Sequence, residues 1–456
     1  MNPAAVAREL VYNLNHVGCK GIVISSSDIA INTLKQAVPD VGEKSCKSVP
    51  TLKHVILTGS NSSVADSFLR NAHWYNVLVN RSLENRTRVE GYFVDPESPL
   101  SVFLTSGTTG LSKAVVQTNF AVSNAVALFR FHYGSYISHY CAPLSMHHAS
   151  TGLFGVFLPS TGLCKVIIPA LAVNPEATLR AIQEEKCTII LTGPALMRSI
   201  LSHPTRPTYD LSSLEYVTIT ATPIQPDFLR MVEKELGSAR VDQCYGMTES
   251  GNVITSGLYA SLDDNRRYTS IGRCIPNTEI KIVGHDGLTL PIGSEGEIWI
   301  RSRFIMSGYY NDVEKTAETI TSSGWLRTGD LAKMDEDGYF FFVGRKKDII
   351  IRAGVNIYPV EIERVIMEHP NVEEAHVFSI PDPLIDEVVC AFVSLKHQMT
   401  CAVDELKLFL RENLTAYKVP EHIQFVDNFV RTAVGKVSKD KLAEEMIELL
   451  KKEHDK

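Results

Sequence analysis

The residues from Thr105 to Lys113 combine the chemical groups that bind polyphosphates. The segment reads TSGTTGLSK, so it carries five hydroxyl side chains, two glycines and a terminal lysine. Glycine lets the backbone turn tightly and present its N–H groups, and the lysine adds a mobile positive charge. The spacing is not that of a Walker A loop, which needs four residues between a glycine and Gly-Lys. The segment predicts a phosphate-binding loop, with a hairpin turn rich in threonine and glycine as the alternative.

Two further segments carry groups suited to a nucleotide. In Tyr245–Ser250 the tyrosine ring offers a flat face for a purine, Thr248 can donate to a phosphate, and Glu249 is a hard oxygen ligand for Mg²⁺. In Trp325–Asp330 the final carboxylate follows a glycine and could accept hydrogen bonds from two ribose hydroxyls. A capped strand-to-helix turn and an ordinary aspartate turn are the respective alternatives.

Three more segments carry charge or imidazole. Gly344–Gly354 is rich in charged residues where the chain changes character, which is typical of a hinge or of a solvated linker. Thr432–Lys436 ends in a lysine that could stabilise a transient anion, although most such lysines are merely exposed. Pro143–His148 contains two adjacent histidines, which make a poor metal pair and are expected to be hydrogen-bonded or exposed.

The elements around these segments predict an α/β fold. Up to residue 343, helical stretches such as Pro175–Glu185 and Pro226–Leu236 alternate with β-branched runs, which favours a largely parallel sheet. Residues 270–343 predict a smaller β-rich subdomain within this large domain. Residues 344–456 predict a separate α+β unit with helices over Pro359–Met367 and Val403–Asn413.

Composition narrows the class of protein further. The 456 residues are 44% hydrophobic and 21% charged with a net charge of −7, which is ordinary for a globular protein and gives no electrostatic case for binding nucleic acid. The nine cysteines form no C-x-x-C pair, so neither a disulfide framework nor a zinc knuckle is indicated. No run predicts an integral membrane segment, and Gly152–Leu171 is interpreted as core strands and turns. A reducing, cytoplasmic or other intracellular compartment is expected.

Taken together, the segments resemble the acyl-adenylate-forming (AMP-binding) superfamily, which contains acyl-CoA synthetases, beetle luciferases and the adenylation domains of peptide synthetases. The order of the segments matches over nearly the whole chain. The stretch Gly354–Glu363 looks most like the fatty acyl-CoA synthetase branch. The resemblance implies a large domain over residues 1–343 and a small mobile lid domain over residues 344–456.

The resemblance also implies a role for each matching residue. Tyr245 would stack on adenine, Asp330 would bind the ribose with Arg345 beside it, and Lys347 would be the hinge. Gly354 would serve the CoA step, while Lys436, Thr248 and Glu249 would be catalytic, the last also holding Mg²⁺. The loop would hold the β- and γ-phosphates of ATP through Thr105, Ser106, Gly107, Thr108, Thr109, Gly110 and Lys113.

The implied reaction is ATP-dependent activation of a carboxylic acid, with a medium- or long-chain fatty acid expected, followed by transfer to CoA. Adenylation with transfer to a carrier-protein thiol, luciferase-like chemistry, and a truncated inactive homologue acting as a binding module are the alternatives. Strict dependence on free CoA would separate the first two from the leading hypothesis.

Three departures from the family pattern stand out. The chain begins partway through what resembles a family helix, so the protein is expected to be N-terminally shortened. The family's Gly-Gly-Ala/Ser-Pro segment is Thr220–Pro223 here, with side chains where glycines are usual. The family's aromatic-histidine segment is altered in Leu144–His147, where the usual histidine falls on Met146 or His147.

Overall fold

The computed structural model describes residues 7–41, 46–59, 69, 72–84, 93–105, 112–162, 164–170, 173–222, 224–237, 239–352, 355–431 and 437–454. Within these ranges the α-helices are α1 Ala7–His16, α2 Asp28–Ala37, α3 Tyr75–Glu84, α4 Asn119–Tyr133, α5 Ala149–Phe157, α6 Pro175–Glu185, α7 Pro194–Leu201, α8 Pro226–Leu236, α9 Arg266–Thr269, α10 Val313–Thr319, α11 Pro359–Glu368, α12 Val403–Asn413 and α13 Lys439–His454.

The strands in the same ranges are β1 Gly21–Ser25, β2 His54–Thr58, β3 His73–Trp74, β4 Pro99–Thr105, β5 Lys113–Thr118, β6 His139–Cys141, β7 Lys165–Ile167, β8 Ile189–Thr192, β9 Tyr216–Ile219, β10 Arg240–Met247, β11 Asn252–Ser256, β12 Arg273–Cys274, β13 Thr278–Val283, β14 Gly296–Ser302, β15 Gly308–Tyr309, β16 Leu326–Met334, β17 Phe340–Arg345, β18 Ile350–Arg352, β19 Val355–Ile357, β20 Val372–Asp382, β21 Asp386–Leu395 and β22 His422–Phe425.

A seven-stranded sheet forms the centre of the large α/β part, in the order β12-β11-β10-β9-β8-β6-β7. The five strands from β10 to β7 in this order run parallel. All residues of β8 and β9 are buried, as expected for parallel strands covered on both faces. Apolar residues of α6, α7 and α8 pack with them in one core.

Two antiparallel sheets lie beside this central sheet. One has the order β15-β5-β4, in which β4 and β5 form a hairpin. The other has the order β13-β14-β16-β17 and corresponds to the expected β-rich region. Buried residues of both sheets, among them Val115 of β5 and Ile298 of β14, belong to one core, so the hairpin is fixed against the four-stranded sheet.

The two ends of the chain have sheets and cores of their own. At the N-terminal end β1, β2 and β3 pair in parallel and share a core with α1 and α2. At the C-terminal end β19-β18-β21-β20 is joined by β22, with α11 and α12 packed in one core. Residues of α13 pack in a further core with β20 and β21.

The predicted fold class is confirmed, and most predicted elements are found with the expected bounds. One interpretation was wrong: residues from Gly152 to Phe157 belong to helix α5 rather than to a strand. A short apolar run has no clear period, so sequence alone does not separate a buried helix from a buried strand. All nine cysteines are free thiols. In the described part of the chain, no helix combines the length and apolar character needed to cross a bilayer.

Candidate active site

The hairpin of β4 and β5 positions the two ends of the predicted phosphate loop. Thr105, the last residue of β4, pairs with Lys113, the first residue of β5. The loop itself, with Ser106, Gly107, Thr108, Thr109 and Gly110, lies outside the described residues. The described strands therefore fix the positions of Thr105 and Lys113, the residues at the two ends of the predicted loop.

Tyr309 connects the end of this loop to Glu249. Its strand β15 pairs with β5, and the Lys113 Nζ lies 5.2 Å from the centre of the Tyr309 ring. The Tyr309 hydroxyl donates to Glu249 Oε1 over 2.9 Å. Burial and the adjacent carboxylate raise the pKa of Tyr309, so the hydroxyl keeps its proton and remains a donor.

The Thr248–Ser250 turn is held in place from two sides. It is a single 3₁₀ turn that directly follows β10. The Gln117 side chain in β5 donates to the Thr248 carbonyl over 2.9 Å, and the Met306 N–H donates to the Glu249 carbonyl over 2.8 Å. The Glu249 side chain is buried, so its carboxylate has a fixed position beside Tyr309.

Asp330 is tied to Tyr245 and to Arg345. The Tyr245 hydroxyl donates to Asp330 Oδ2 over 2.8 Å, and Arg345 Nε lies 3.1 Å from Asp330 Oδ1. The ion pair follows from strand register, because Asp330 in β16 stands opposite Arg345 in β17. Burial, then the charge of Asp330, raises the pKa of Tyr245.

The structure thus brings six of the predicted residues into two groups of contacts. Lys113 and Glu249 both contact Tyr309, with Thr248 next to Glu249. Tyr245, Asp330 and Arg345 form the second group, and β10 with the turn that follows it connects the two. Lys347 follows two residues after Arg345, half-exposed, with its Nζ 3.7 Å from Asp348. Gly354 and Lys436 lie outside the described residues, although an antiparallel bridge pairs Arg431 with Val437, the described residues on either side of 432–436.

Three residues of the site were not predicted from the sequence. Tyr309 and Gln117 bring β15 and β5 to the Thr248–Ser250 turn. Glu297 accepts from the Gly329 N–H over 3.0 Å and pairs with Lys346 over 3.2 Å, which supports the part of β16 before Asp330, where the pairing with β14 is irregular. The sequence offered one signal for Gln117 and Glu297: each is a polar residue within a mostly apolar strand. The structure shows that both are buried there.

In the altered Thr220–Pro223 segment, Ala221 has a backbone conformation that favours glycine, and Pro223 lies outside the described residues. Ala221 has φ of +86°, which L-residues rarely adopt. The Thr220 hydroxyl donates to the Cys244 carbonyl over 2.8 Å and so ties the segment to β10. The backbone therefore takes a turn that suits glycine although alanine occupies the position.

A small apolar cavity of about 10 Å³ lies next to the Thr248–Ser250 turn. Phe129, Phe154 and Phe304 line it together with Gly251. Gly251 has a positive φ, and a Cβ there would overlap the carbonyl oxygen of Phe304. A glycine is needed for this close approach between the turn and the cavity wall.

The histidines at the altered aromatic-histidine segment contact their neighbours. His147 Nδ1 lies 2.8 Å from the Ser145 hydroxyl, and its ring packs on that of His148. Burial, then the charge of His148, lowers the pKa of His147 to about 4. His147 is therefore neutral at pH 7.

The chain belongs to the AMP-binding enzyme family. The model for the AMP-binding enzyme matches residues 1–310, and the model for the AMP-binding enzyme C-terminal domain matches residues 361–436. This membership and the names of its relatives confirm the expected class, an AMP-forming ligase of the acyl-CoA synthetase type.

Individual relatives match most of the chain. The putative acyl-CoA synthetase YngI of Bacillus subtilis is 32% identical over 97% of this chain and 82% of its own length. The mitochondrial medium-chain acyl-CoA ligase ACSF2 of Danio rerio is 31% identical over 97% of this chain and 74% of its own. The amide bond synthetase McbA from Marinactinospora thermotolerans has a TM-score of 0.81 and 27% identity, with coverage of 98% and 84%.

Proposed function

We propose that this protein activates a carboxylic acid with ATP and transfers the acyl group to CoA. In the first step a carboxylate oxygen attacks the α-phosphorus, which gives acyl-AMP and releases pyrophosphate. In the second step the CoA thiol attacks the acyl carbonyl, which gives acyl-CoA and releases AMP. The observation that carries the proposal is a pair of contact groups joined by residues 245–249. Lys113 and Glu249 at Tyr309 provide for phosphates, and Tyr245 at Asp330 provides for a nucleoside.

Each of these residues suits one part of the ATP molecule. The loop between β4 and β5 would hold the β- and γ-phosphates, and Thr248 would contact the α-phosphate. The Tyr245 ring would face adenine. Asp330, with Arg345 beside it, would accept hydrogen bonds from the ribose hydroxyls, since a carboxylate oxygen can accept more than one donor.

The donor set at Glu249 fits Mg²⁺. A buried carboxylate held by the Tyr309 hydroxyl offers a hard oxygen at a fixed position. Bound there with ATP, the ion would neutralise phosphate charge. Tyr309 would keep the carboxylate aimed at the phosphates.

The C-terminal part would serve as a lid over both half-reactions. We assign residues 1–343 to the large domain and residues 344–456 to the lid. Lys436 would stabilise charge on the α-phosphate as the acid attacks. Because acyl-AMP is a reactive anhydride, the lid would also exclude water. Rotation at Lys347 would then withdraw Lys436 and bring the loop around Gly354 to the site for the thiol step.

The acid would carry an apolar acyl group, such as that of a medium- or long-chain fatty acid. The name of the Danio rerio relative, a medium-chain acyl-CoA ligase, supports this choice. Apolar pockets discriminate chain length only weakly, so the preferred length is a matter for measurement.

The first experiment is acid-dependent exchange of labelled pyrophosphate into ATP in the absence of CoA. Short, medium, long and aromatic acids would be compared. We expect exchange with apolar acids and a loss of at least about tenfold in Glu249→Gln, the scale of a damaged metal site. Glu314→Gln, at an exposed glutamate of α10, is the matched control and should exchange normally. Thioester formation on addition of CoA then tests the second step.

Absence of exchange with every acid, from a folded chain that also fails to bind ATP, would contradict the proposal and favour a binding module. If exchange occurs but no thioester forms when CoA is added, the adenylation step of the proposal stands and the acyl acceptor is a molecule other than CoA.

A further inference from the structure

A second group of reactive side chains lies in the C-terminal part, on elements that carry none of the candidate active site. His369 directly follows α11, Cys401 lies two residues before α12, and Glu405 is in the first turn of α12. One potential ligand atom from each lies within 4.8 Å of the other two. Among the residues that the structure describes, no other group of three histidine, cysteine or acidic side chains meets this criterion.

The backbone around these three residues is held by contacts from Asn371. Its side chain donates to the Thr400 carbonyl over 2.9 Å, and its N–H approaches His369 Nδ1 at 3.3 Å. Its carbonyl accepts from the Lys396 N–H over 2.9 Å. Asn371 therefore connects the segment that carries His369 to the segment that carries Cys401.

The surroundings further restrict how these side chains can move. His369 is buried and packs edge-on against the Phe409 ring, with 5.1 Å between the ring centres. Cys401 is half-buried, and Glu405 is exposed. Glu405 Oε2 accepts from the Ala402 N–H over 3.3 Å, so its carboxylate already folds back toward Cys401. The group is fixed on its inner side and open on its outer side.

We propose that His369, Cys401 and Glu405 bind a Zn²⁺ ion. An imidazole nitrogen, a thiolate and a carboxylate are the ligand types that zinc takes in proteins. A thiolate and a carboxylate together balance the two positive charges of the ion. The open outer side leaves the fourth tetrahedral position to water. The start of α12 favours both anionic ligands, because the helix dipole is positive there.

The ion would link the end of α11 to the start of α12. Both helices pack against the C-terminal sheet in one core, so the link would stabilise that domain without contacting the nucleotide site. A ligand that binds the folded state alone stabilises it by mass action. The expected effect is a higher unfolding temperature for this part of the chain and unchanged chemistry at the active site.

The test is titration of the full chain, freed of metal by a chelator, with Co²⁺ as a spectroscopic probe of the zinc site. We expect one ion per chain, a thiolate-to-cobalt charge-transfer band, and loss of that band when Zn²⁺ is added. Cys401→Ser should abolish the band. Cys164→Ser, at another half-buried cysteine, is the matched control and should retain it. A wild-type chain without the band, or a Cys401→Ser variant that keeps it, would overturn the proposal.

A second set of variants separates metal binding from folding. Glu405→Gln removes the anionic ligand but keeps an oxygen that can accept from the Ala402 N–H at the start of α12. Asn371→Ala removes the connection behind the ligands. Each should weaken Co²⁺ binding by roughly tenfold or more. Zn²⁺ should raise the unfolding temperature of the wild type but not that of Cys401→Ser. Equal Co²⁺ affinity in wild type and Glu405→Gln would exclude Glu405 from the site.

Discussion

At the scale of single residues, Asp242 stands out because its carboxyl is buried without full hydrogen bonding. It lies in β10 with no exposed surface, and its Oδ2 accepts from the Tyr216 hydroxyl. Its Oδ1 has no partner among the described residues. Burial raises the pKa of Asp242 from 3.8 to about 7. The ionised form is therefore disfavoured in the folded protein.

This shift predicts a pH dependence of stability. Between about pH 4 and pH 7 the folded chain keeps a proton that the unfolded chain has released. Asp242 therefore contributes stability that is full below about pH 4 and is lost as the pH rises to about 7. Asp242→Asn should remove this dependence. The free energy of unfolding of the variant minus that of wild type should therefore be up to about 4 kcal/mol larger at pH 8 than at pH 4. Urea unfolding of both proteins at the two pH values measures the difference.

The control for this prediction is Asp263→Asn, which neutralises an exposed aspartate. It should change stability by similar small amounts at both pH values. If Asp242→Asn also shifts stability equally at pH 4 and pH 8, the buried carboxyl does not titrate in this range.

Whether a residue of the candidate site could be predicted from the sequence depended on how far along the chain its contacts lie. Thr248, Glu249 and Asp330 could be proposed because each lies in a short segment whose residue types suit a nucleotide. Tyr309 could not, because its contact with Glu249 spans 60 positions and depends on the pairing of β15 with β5. The positive φ of Ala221 was likewise hidden, since alanine carries no signal for that conformation.

At the scale of elements, β15 is short but connects the loop hairpin to the Thr248–Ser250 turn. Tyr309 provides this connection through its hydroxyl, while the pairing of β15 with β5 uses backbone groups. Tyr309→Phe should therefore leave the strand in place and free the Glu249 carboxylate. A hydrogen bond to a charged group contributes about 1.5–3 kcal/mol, so the exchange rate should fall roughly tenfold or more.

The measurement for Tyr309→Phe is pyrophosphate exchange as a function of Mg²⁺ concentration. If Glu249 is no longer positioned by this hydrogen bond, it should bind Mg²⁺ less tightly. The Mg²⁺ concentration needed for half-maximal rate should therefore rise. Tyr310→Phe makes the same substitution at the next residue. It is the matched control and should leave the Mg²⁺ requirement unchanged. An unchanged Mg²⁺ requirement in Tyr309→Phe would show that the contact does not position Glu249.

Elements were predicted well where their ends carry clear signals. Helices α6, α8 and α12 have the bounds expected from the sequence, and α6 and α8 each begin with a proline, which favours the first helical position. Helix α5 was missed because its residues are apolar and small, with no charged face to give a period. The pairing order of the strands followed from long-range packing that no local pattern records.

At the scale of the whole molecule, the proposed lid must present different surfaces in the two half-reactions. Lys346–Asp348 form a short 3₁₀ turn between β17, which carries Arg345 of the candidate site, and β18 of the C-terminal sheet. A rotation within this turn would move the C-terminal sheet while Arg345 stays paired with Asp330. The turn is therefore a suitable place for a hinge.

Lys347→Pro should restrict this rotation, because proline fixes φ near −65°. We expect thioester formation from supplied acyl-AMP and CoA to fall at least about tenfold, with pyrophosphate exchange less affected. Lys347→Ala removes the charge but keeps the backbone free, so both steps should stay close to wild type. Lys436→Ala should have the opposite effect, with exchange lost and thioester formation from acyl-AMP retained. If Lys347→Pro leaves the thiol step unchanged, the chain does not rotate at this position between the two half-reactions.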